Sequence, residues 1–332
     1  MRQSANWLLR GVVIVVVAAV IALWVLVHPL PEPSHPTASP QPSPSPAATP
    51  TPRPTPVPTA TPTPSPVPSA TATPTRQATA TATATLSTSA DYVLAGRVEQ
   101  QAYFSPTTGA EETYRIYLPP GYDQSDRRYP VLYLLHGWPY QAAHWDGLGI
   151  EEAADSAIQS GALPPSIIVQ PRGSERMYVN TSGGEQSFEG QVINDLIPHV
   201  DATFRTWAER EGRAIGGISR GGVWSLEIGF SHPGVFAAVG AHSPALSVNL
   251  APPVHDPFYL LEEPGVAGLR IYLDAGDVDW TREYTQKLHA ALDEHGIHNE
   301  FTVHDGGHAA GMWAAHVAEY LAFYTAGWAG PQ

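Results

Sequence analysis

The sequence contains no cysteine. That excludes disulfides, a thiolate nucleophile and cysteine-ligated metal centres. Basic residues are also scarce, with 17 Lys and Arg against 31 Asp and Glu and a formal net charge of −14. Residues 1–90 hold Arg2, Arg10, Arg53 and Arg76 but only Glu32, so removing them leaves 13 basic against 30 acidic residues. No Lys/Arg cluster is present that could neutralise a phosphate backbone, which argues against a nucleic-acid partner. Acidity of this kind serves to solvate a surface.

Proline is abundant but unevenly spread. Of 34 prolines, 18 fall between Pro29 and Pro74. Residues 29–90, with their Thr-Pro, Ser-Pro and Ala-Thr repeats, cannot pack a core. They read as a solvated, extended, disordered stalk whose simplest role is that of a spacer. Before them, Arg2 and Arg10 precede an uncharged, Val-rich run at residues 11–27. Its 17 residues sit at the lower limit for a membrane span, with Trp7 and Trp24 placed for the two interfaces. Residues 1–28 are therefore expected to form a transmembrane anchor with its positive flank in the cytoplasm and the rest of the chain outside. A cleaved signal peptide, leaving a secreted protein, is the competing expectation.

Residues 91–332 have ordinary globular composition. Alternating runs at 98–104 and 112–118 read as paired strands around Thr107-Thr108-Gly109. Short apolar runs at 129–135, 167–170, 236–241, 270–273 and 300–303 read as buried strands. Helical patterns occupy 190–204, with Pro198 expected to kink it, 280–295 and 309–324. Strands alternating with helices predict an α/β domain with a mostly parallel sheet covered on both faces. Sites in such sheets form at the carboxyl ends of strands.

One such end stands out. Ala214 and Ile215 lead into Gly217-Ile218-Ser219-Arg220-Gly221, after which Val223, Leu226 and Phe230 share a helical face. The run fits G-x-S-x-G, the nucleophile elbow of α/β-hydrolases, with a merely structural Gly/Ser turn as the competing expectation. The flanking glycines allow a strained strand-to-helix turn with serine at its apex. A serine hydroxyl needs a base, and the base needs a group to orient it; both are expected after Ser219 in the chain. His308, on a loop behind Gly306-Gly307, is the candidate base. His304 reads as a packed strand histidine and His242 as a second layer or surface group. The spacing His304-x-x-x-His308 spans two glycines and offers no evident third ligand, so no metal or other cofactor is expected. Asp274, Asp277 and Asp279 all follow one strand, and spacing does not decide among them. The amides of Arg220 and Trp138 are the candidate oxyanion donors.

Tyr117-Leu118-Pro119-Pro120-Gly121-Tyr122, Tyr133-Leu134-Leu135-His136-Gly137, Asp195-Leu196-Ile197-Pro198, the elbow and Gly306-Gly307-His308 occur in this order. Together they resemble the putative-esterase family of α/β-hydrolases, which includes feruloyl and acetylxylan esterases, S-formylglutathione hydrolase, enterochelin esterases and the antigen 85 mycolyltransferases. The resemblance implies Ser219 as nucleophile, His308 as base and, through Gly276-x-x-Asp279, Asp279 as the acid. It implies Trp138 and Arg220 at the oxyanion positions and a structural role for Asp195. Residues 172–187, with Tyr178 and Asn180, match no segment of the family and are expected to border the pocket. The expected activity is that of an extracytoplasmic serine carboxylester hydrolase acting on a small-molecule or polysaccharide ester. Acyl transfer to a sugar or lipid, or a catalytically silent binding module, are the alternatives.

Overall fold

The strand Val131–Leu135 (β3) carries the logic of the architecture in five residues. Val131, Tyr133 and Leu135 point into one core and Leu132 and Leu134 into another. A strand buried on both faces reads as an unbroken apolar run, and side chains alternate between the faces. The computed structural model describes residues 92–179 and 183–328. Around β3 it sets Arg97–Ser105 (β1), Ala110–Leu118 (β2), Ile167–Pro171 (β4), Arg213–Ile218 (β5), Ala238–His242 (β6), Arg270–Gly276 (β7) and Glu300–His304 (β8). They form one sheet in the order β1-β2-β4-β3-β5-β6-β7-β8. The β1–β2 and β2–β4 pairs are antiparallel, and the pairs from β4 through β3 to β8 are parallel.

Helices cover both faces. On one lie a helical run built of Phe188–Gly190, Gln191–Leu196 and Ile197–Thr203 (together α3), then Arg220–Ser231 (α4) and Arg282–Glu294 (α5). On the other lie Ile150–Gln159 (α1) and Ala310–Thr325 (α6). A short helix, Glu175–Val179 (α2), sits in the loop after β4.

Three departures from the sequence pattern have local causes. Residues 191–196 form a wider π turn, with the Ile197 amide reaching back to Val192 O. Pro198 then stands in the first turn of the following α segment rather than at a kink in its middle. That position suits a residue without an N–H. The helix expected from residue 280 starts at Arg282, because Asp279 and Thr281 are occupied in the turn before it. Helix α1 is absent from the sequence expectations although Ile150, Ala153, Ala154, Ala157 and Ile158 recur at helical spacing; three of the five are alanines, and the acidic Glu151 and Asp155 are buried beside them. Asp155 accepts hydrogen bonds from the amides of Ala95 and Gly96 and the hydroxyls of Tyr92 and Tyr117, fastening the start of the described chain to α1.

The anchor expected at residues 1–28 and the stalk at 29–90 lie outside the described residues, as does Asn180. Among the described residues, no helix is long and apolar enough to cross a membrane.

Glu151 has a measurable consequence. Its side chain is buried, with Oε1 accepting from Gln170 Nε2 at 2.7 Å. Burial pushes its carboxyl from 4.5 up to about 7. The folded state therefore holds a proton that the unfolded chain releases at lower pH. The associated stability is fully present below pH 4.5 and is lost as pH rises through about 7. The melting temperature of Glu151→Gln is expected to fall less than that of the wild type when pH is raised across this window. Equal slopes in the two proteins would contradict the assignment.

Candidate active site

The elbow takes its shape from contacts that only glycine permits. A Cβ on Gly217 would lie 2.1 Å from Gly221 O, and one on Gly221 would lie 2.4 Å from Leu135 O. Their absence lets the first turn of α4 press against the ends of β3 and β5. Ser219, between them, adopts φ 56° and ψ −112°. That left-handed φ is costly for a residue with a Cβ, and the surrounding backbone holds it. The Ser219 amide donates to His242 O on the neighbouring strand β6 (2.8 Å), and Ser219 O accepts from the Ala245 amide (3.1 Å).

The loop after β8 brings His308 to this turn. His308 Nε2 is 2.9 Å from Ser219 Oγ, while Nδ1 is 3.1 Å from both carboxylate oxygens of Asp279. A carboxylate at Nδ1 selects the tautomer that carries its proton there and turns the Nε2 lone pair to the hydroxyl. The ring is fixed by Trp280 on one side (centroids 4.9 Å apart) and the edge-on Trp313 (5.0 Å) on another. Such an arrangement can draw a proton from Ser219 Oγ as that oxygen attacks an electrophile.

Of the three aspartates, only Asp279 meets His308. Its Oδ1 accepts from the Thr281 amide and hydroxyl, both at 2.8 Å. Burial opposes its ionisation, but hydrogen bonds from His308, the Thr281 amide and the Ser243 hydroxyl outweigh burial and hold the carboxyl below its ordinary range. Asp277 instead ties the turn, its Oδ1 accepting from the Gly306 amide at 2.8 Å. Asp274 is fully buried beneath the site, 3.1 Å from His242 Nδ1. There too burial is outweighed, by the His242 charge and hydrogen bonds, and the carboxyl is held at about 2. The other His242 nitrogen is taken by Tyr324 OH at 2.8 Å, so this second Asp–His pair faces no nucleophile.

Two supporting residues, Ser243 and Thr281, had no place in the sequence expectations, and a third, Tyr178, was expected only to border the pocket. Ser243 has φ 48°, its amide donates to Asp274 O (2.9 Å), and its hydroxyl accepts from Trp313 Nε1 (3.0 Å). Nothing around Ser243 in the sequence marks it. Thr281 had a signal, since Asp-x-Thr is a common self-capping turn. Tyr178 lies in the unmatched 172–187 segment; its hydroxyl donates to His136 O and its carbonyl accepts from Arg220 Nε and Trp224 Nε1.

The loop after β3 offers the Trp138 amide. The preceding Gly137 amide is committed to His144 Nδ1 at 3.0 Å, and burial depresses that imidazole to about 4, so it stays neutral as an acceptor. Trp138 and Arg220 both line the same cleft as Ser219 and His308. The cleft, of about 480 Å³, is walled largely by apolar side chains: Trp138, Val179, Ala245, Val248, Leu250 and Trp280. On the far side of Trp138 a smaller, more polar cavity of about 90 Å³ is bordered by Tyr140, Gln141 and Arg172. Asp195 is distant from this chemistry in role, accepting from the Thr107 amide and the Ser105 hydroxyl at the β1–β2 turn.

A family model described as "Putative esterase" matches residues 105–324. An endo-1,4-beta-xylanase/feruloyl esterase of Xylanibacter ruminicola is 34% identical over 153 residues, covering 44% of this chain and 21% of the relative. An esterase of Mycobacterium tuberculosis is 36% identical over 140 residues, covering 40% of this chain and 29% of the relative. The chain thus spans less than a third of the length of these two curated relatives. A solved ferulic acid esterase superposes with a TM-score of 0.63 at 24% identity, over 70% of this chain and 99% of its own. S-formylglutathione hydrolase from Staphylococcus aureus gives 0.60 at 18% identity, over 69% and 99%. These structures establish the α/β-hydrolase fold.

The geometry can be tested without substrate. A carboxylate-bound imidazole Nδ1–H gives a strongly deshielded proton resonance. Asp279→Asn is expected to abolish that of His308, and Asp277→Asn to retain it. Ser243→Ala should shift it, because the Asp279 carboxylate loses a donor. An unchanged signal in Asp279→Asn would refute the pairing.

Proposed function

The chain belongs to the family described as "Putative esterase", and on that premise we propose that it is a serine carboxylester hydrolase working through Ser219, His308 and Asp279. The observation that carries the reading is the continuous line from Ser219 Oγ through the His308 ring to both oxygens of Asp279. Ser219 Oγ attacks the ester carbonyl while His308 Nε2 takes its proton. The resulting oxyanion is met by the amides of Trp138 and Arg220. His308 returns the proton to the departing alcohol, leaving an acyl-enzyme. Water, deprotonated by His308, then attacks the acyl carbon; the acid departs and Ser219 recovers its proton. Asp279 keeps its charge throughout and offsets that of the imidazolium.

The apolar cleft beside Ser219 suits the acyl side of a small-molecule or polysaccharide ester. Burying each further methylene there is worth about 0.8 kcal/mol. The proposed setting is extracytoplasmic, with the domain anchored through residues 1–28 and held off the membrane by residues 29–90. What supports this is the sequence alone: Arg2 and Arg10 ahead of the apolar run at 11–27, then the proline-rich tract.

Ser219→Ala is expected to abolish hydrolysis of p-nitrophenyl acetate with the fold unchanged. Asp279→Asn should lower kcat by about 10⁴-fold. Asp274→Asn should lower stability but leave the turnover of folded protein near wild type. Undiminished hydrolysis by Ser219→Ala, or the opposite ranking of the two aspartates, would overturn the assignment. Across feruloyl, acetyl-sugar and short-chain aryl esters, those with larger apolar acyl groups should show the higher kcat/KM.

A further inference from the structure

Strand β8 ends in a histidine that the chemistry above leaves unused. His304 is buried, and its Nε2 faces three oxygens: Tyr272 Oη at 3.4 Å, Asp274 Oδ2 at 3.7 Å and Glu319 Oε2 at 3.9 Å. Helix α6 presents His316 and Glu319 beside it, one turn apart, with His316 Nδ1 3.4 Å from Glu319 Oε2. Ligand atoms of His304, His316 and Glu319 all lie within 4.8 Å of one another.

The spacings are informative. A charge-assisted N–H···O bond closes to about 2.7–2.9 Å. The histidine–carboxylate contacts here stop at 3.4–3.9 Å. Ligands bound at about 2.1 Å around a tetrahedral ion stand roughly 3.4 Å from each other. The three groups are too far apart to satisfy one another and near the separation that a shared ion would impose. The outer contacts fit as well. Tyr272 OH donates to Glu319 Oε1 at 2.7 Å, which holds that oxygen aside and leaves Oε2 toward the histidines. Ligating carboxylates are commonly oriented in this way.

We propose that His304, His316 and Glu319 form a binding site for a divalent transition cation of the zinc class. Two imidazoles and a carboxylate are a donor set such ions prefer, with water completing the sphere. The histidine rings stack at 3.5 Å and 20°, so His316 must tilt for both lone pairs to meet one ion. Its partial exposure, with that of Glu319, leaves room for the tilt and gives the ion a way in. His304 and His316 bracket the loop that carries His308. A bound ion would tie the end of β8 to α6 and stiffen that loop, acting as a structural brace outside the Ser219 cleft. The sequence disfavoured a metal because His304 and His308 straddle two glycines. In the fold His308 turns to Ser219, and the further ligands come from α6.

The test uses the full chain, stripped with EDTA and titrated with zinc chloride by calorimetry while the melting temperature is followed. One saturable equivalent and a rise in melting temperature are expected. His316→Ala and Glu319→Gln should each weaken binding by at least about 10-fold, and His289→Ala, at another histidine, should bind as wild type. Cobalt(II) in place of zinc should give visible d–d absorption that His304→Ala lacks. Absence of saturable binding, or wild-type affinity in both His316→Ala and Glu319→Gln, overturns the proposal. Circular-dichroism spectra of the two metal-free variants that match the metal-free wild type would show that they fold. The binding readout stands whether or not Ser219 is the nucleophile.

Discussion

Keeping a buried carboxylate ionised is the constraint on which the site depends. The Asp279 side chain has no exposure to solvent. Removing a carboxylate from water is costly unless donors replace the lost hydration. Here the donors are the His308 ring, the Thr281 amide and hydroxyl, and Ser243. Each comes from a different local device: the loop after β8, a self-capping turn, and the strained residue that ends β6. The charge so maintained then acts on one group, the imidazole that faces Ser219.

Beneath this layer lies another that resembles it without sharing its use. Asp274 and His242 are paired and buried, but Tyr324 closes the far side of the ring. The pair serves as a footing. Asp274 receives the Ser243 amide, and Ser243, with φ 48°, holds its hydroxyl where Trp313 and Asp279 meet it. Strained backbone at both Ser219 and Ser243 is sustained because parallel strands β5, β6 and β7 present their carboxyl ends side by side. Outside, Trp138, Trp280, Val248 and Leu250 line an open, largely apolar cleft beside Ser219.

Much of this was legible in the sequence wherever the determinant was local. The elbow declared itself because its glycines and serine are adjacent and the flanking strand and helix have different periods. His308 was identifiable from the two glycines before it, which end a strand and begin a loop. Buried strands such as 131–135 were visible as short apolar runs. Helix α1 was not read, because its stripe of Ile150, Ala153, Ala154, Ala157 and Ile158 is short and mostly alanine, and Glu151 and Asp155 are buried beside it. The π turn ahead of Pro198 was equally invisible, since periodicity of 3.6 cannot report a single widened turn. Among Asp274, Asp277 and Asp279, sequence spacing was silent, and the family pattern pointed to Asp279.

The sequence by itself determined the alternation of strands and helices, the strained serine turn, the order nucleophile–acid–base and the composition of the N-terminal tract. These are properties of neighbouring residues, governed by backbone sterics and side-chain periodicity. Only the tertiary structure decided which aspartate reaches His308, that Ser243 and Trp313 support it, and that His304 lies against His316 and Glu319. Those are contacts across 29, 70 and 12 or more positions of chain, and the register of strands β5 to β8 and the seating of α6 create them. A carboxylate's partner depends on which strand ends are adjacent, and adjacency in a parallel sheet is a result of folding that no local pattern encodes.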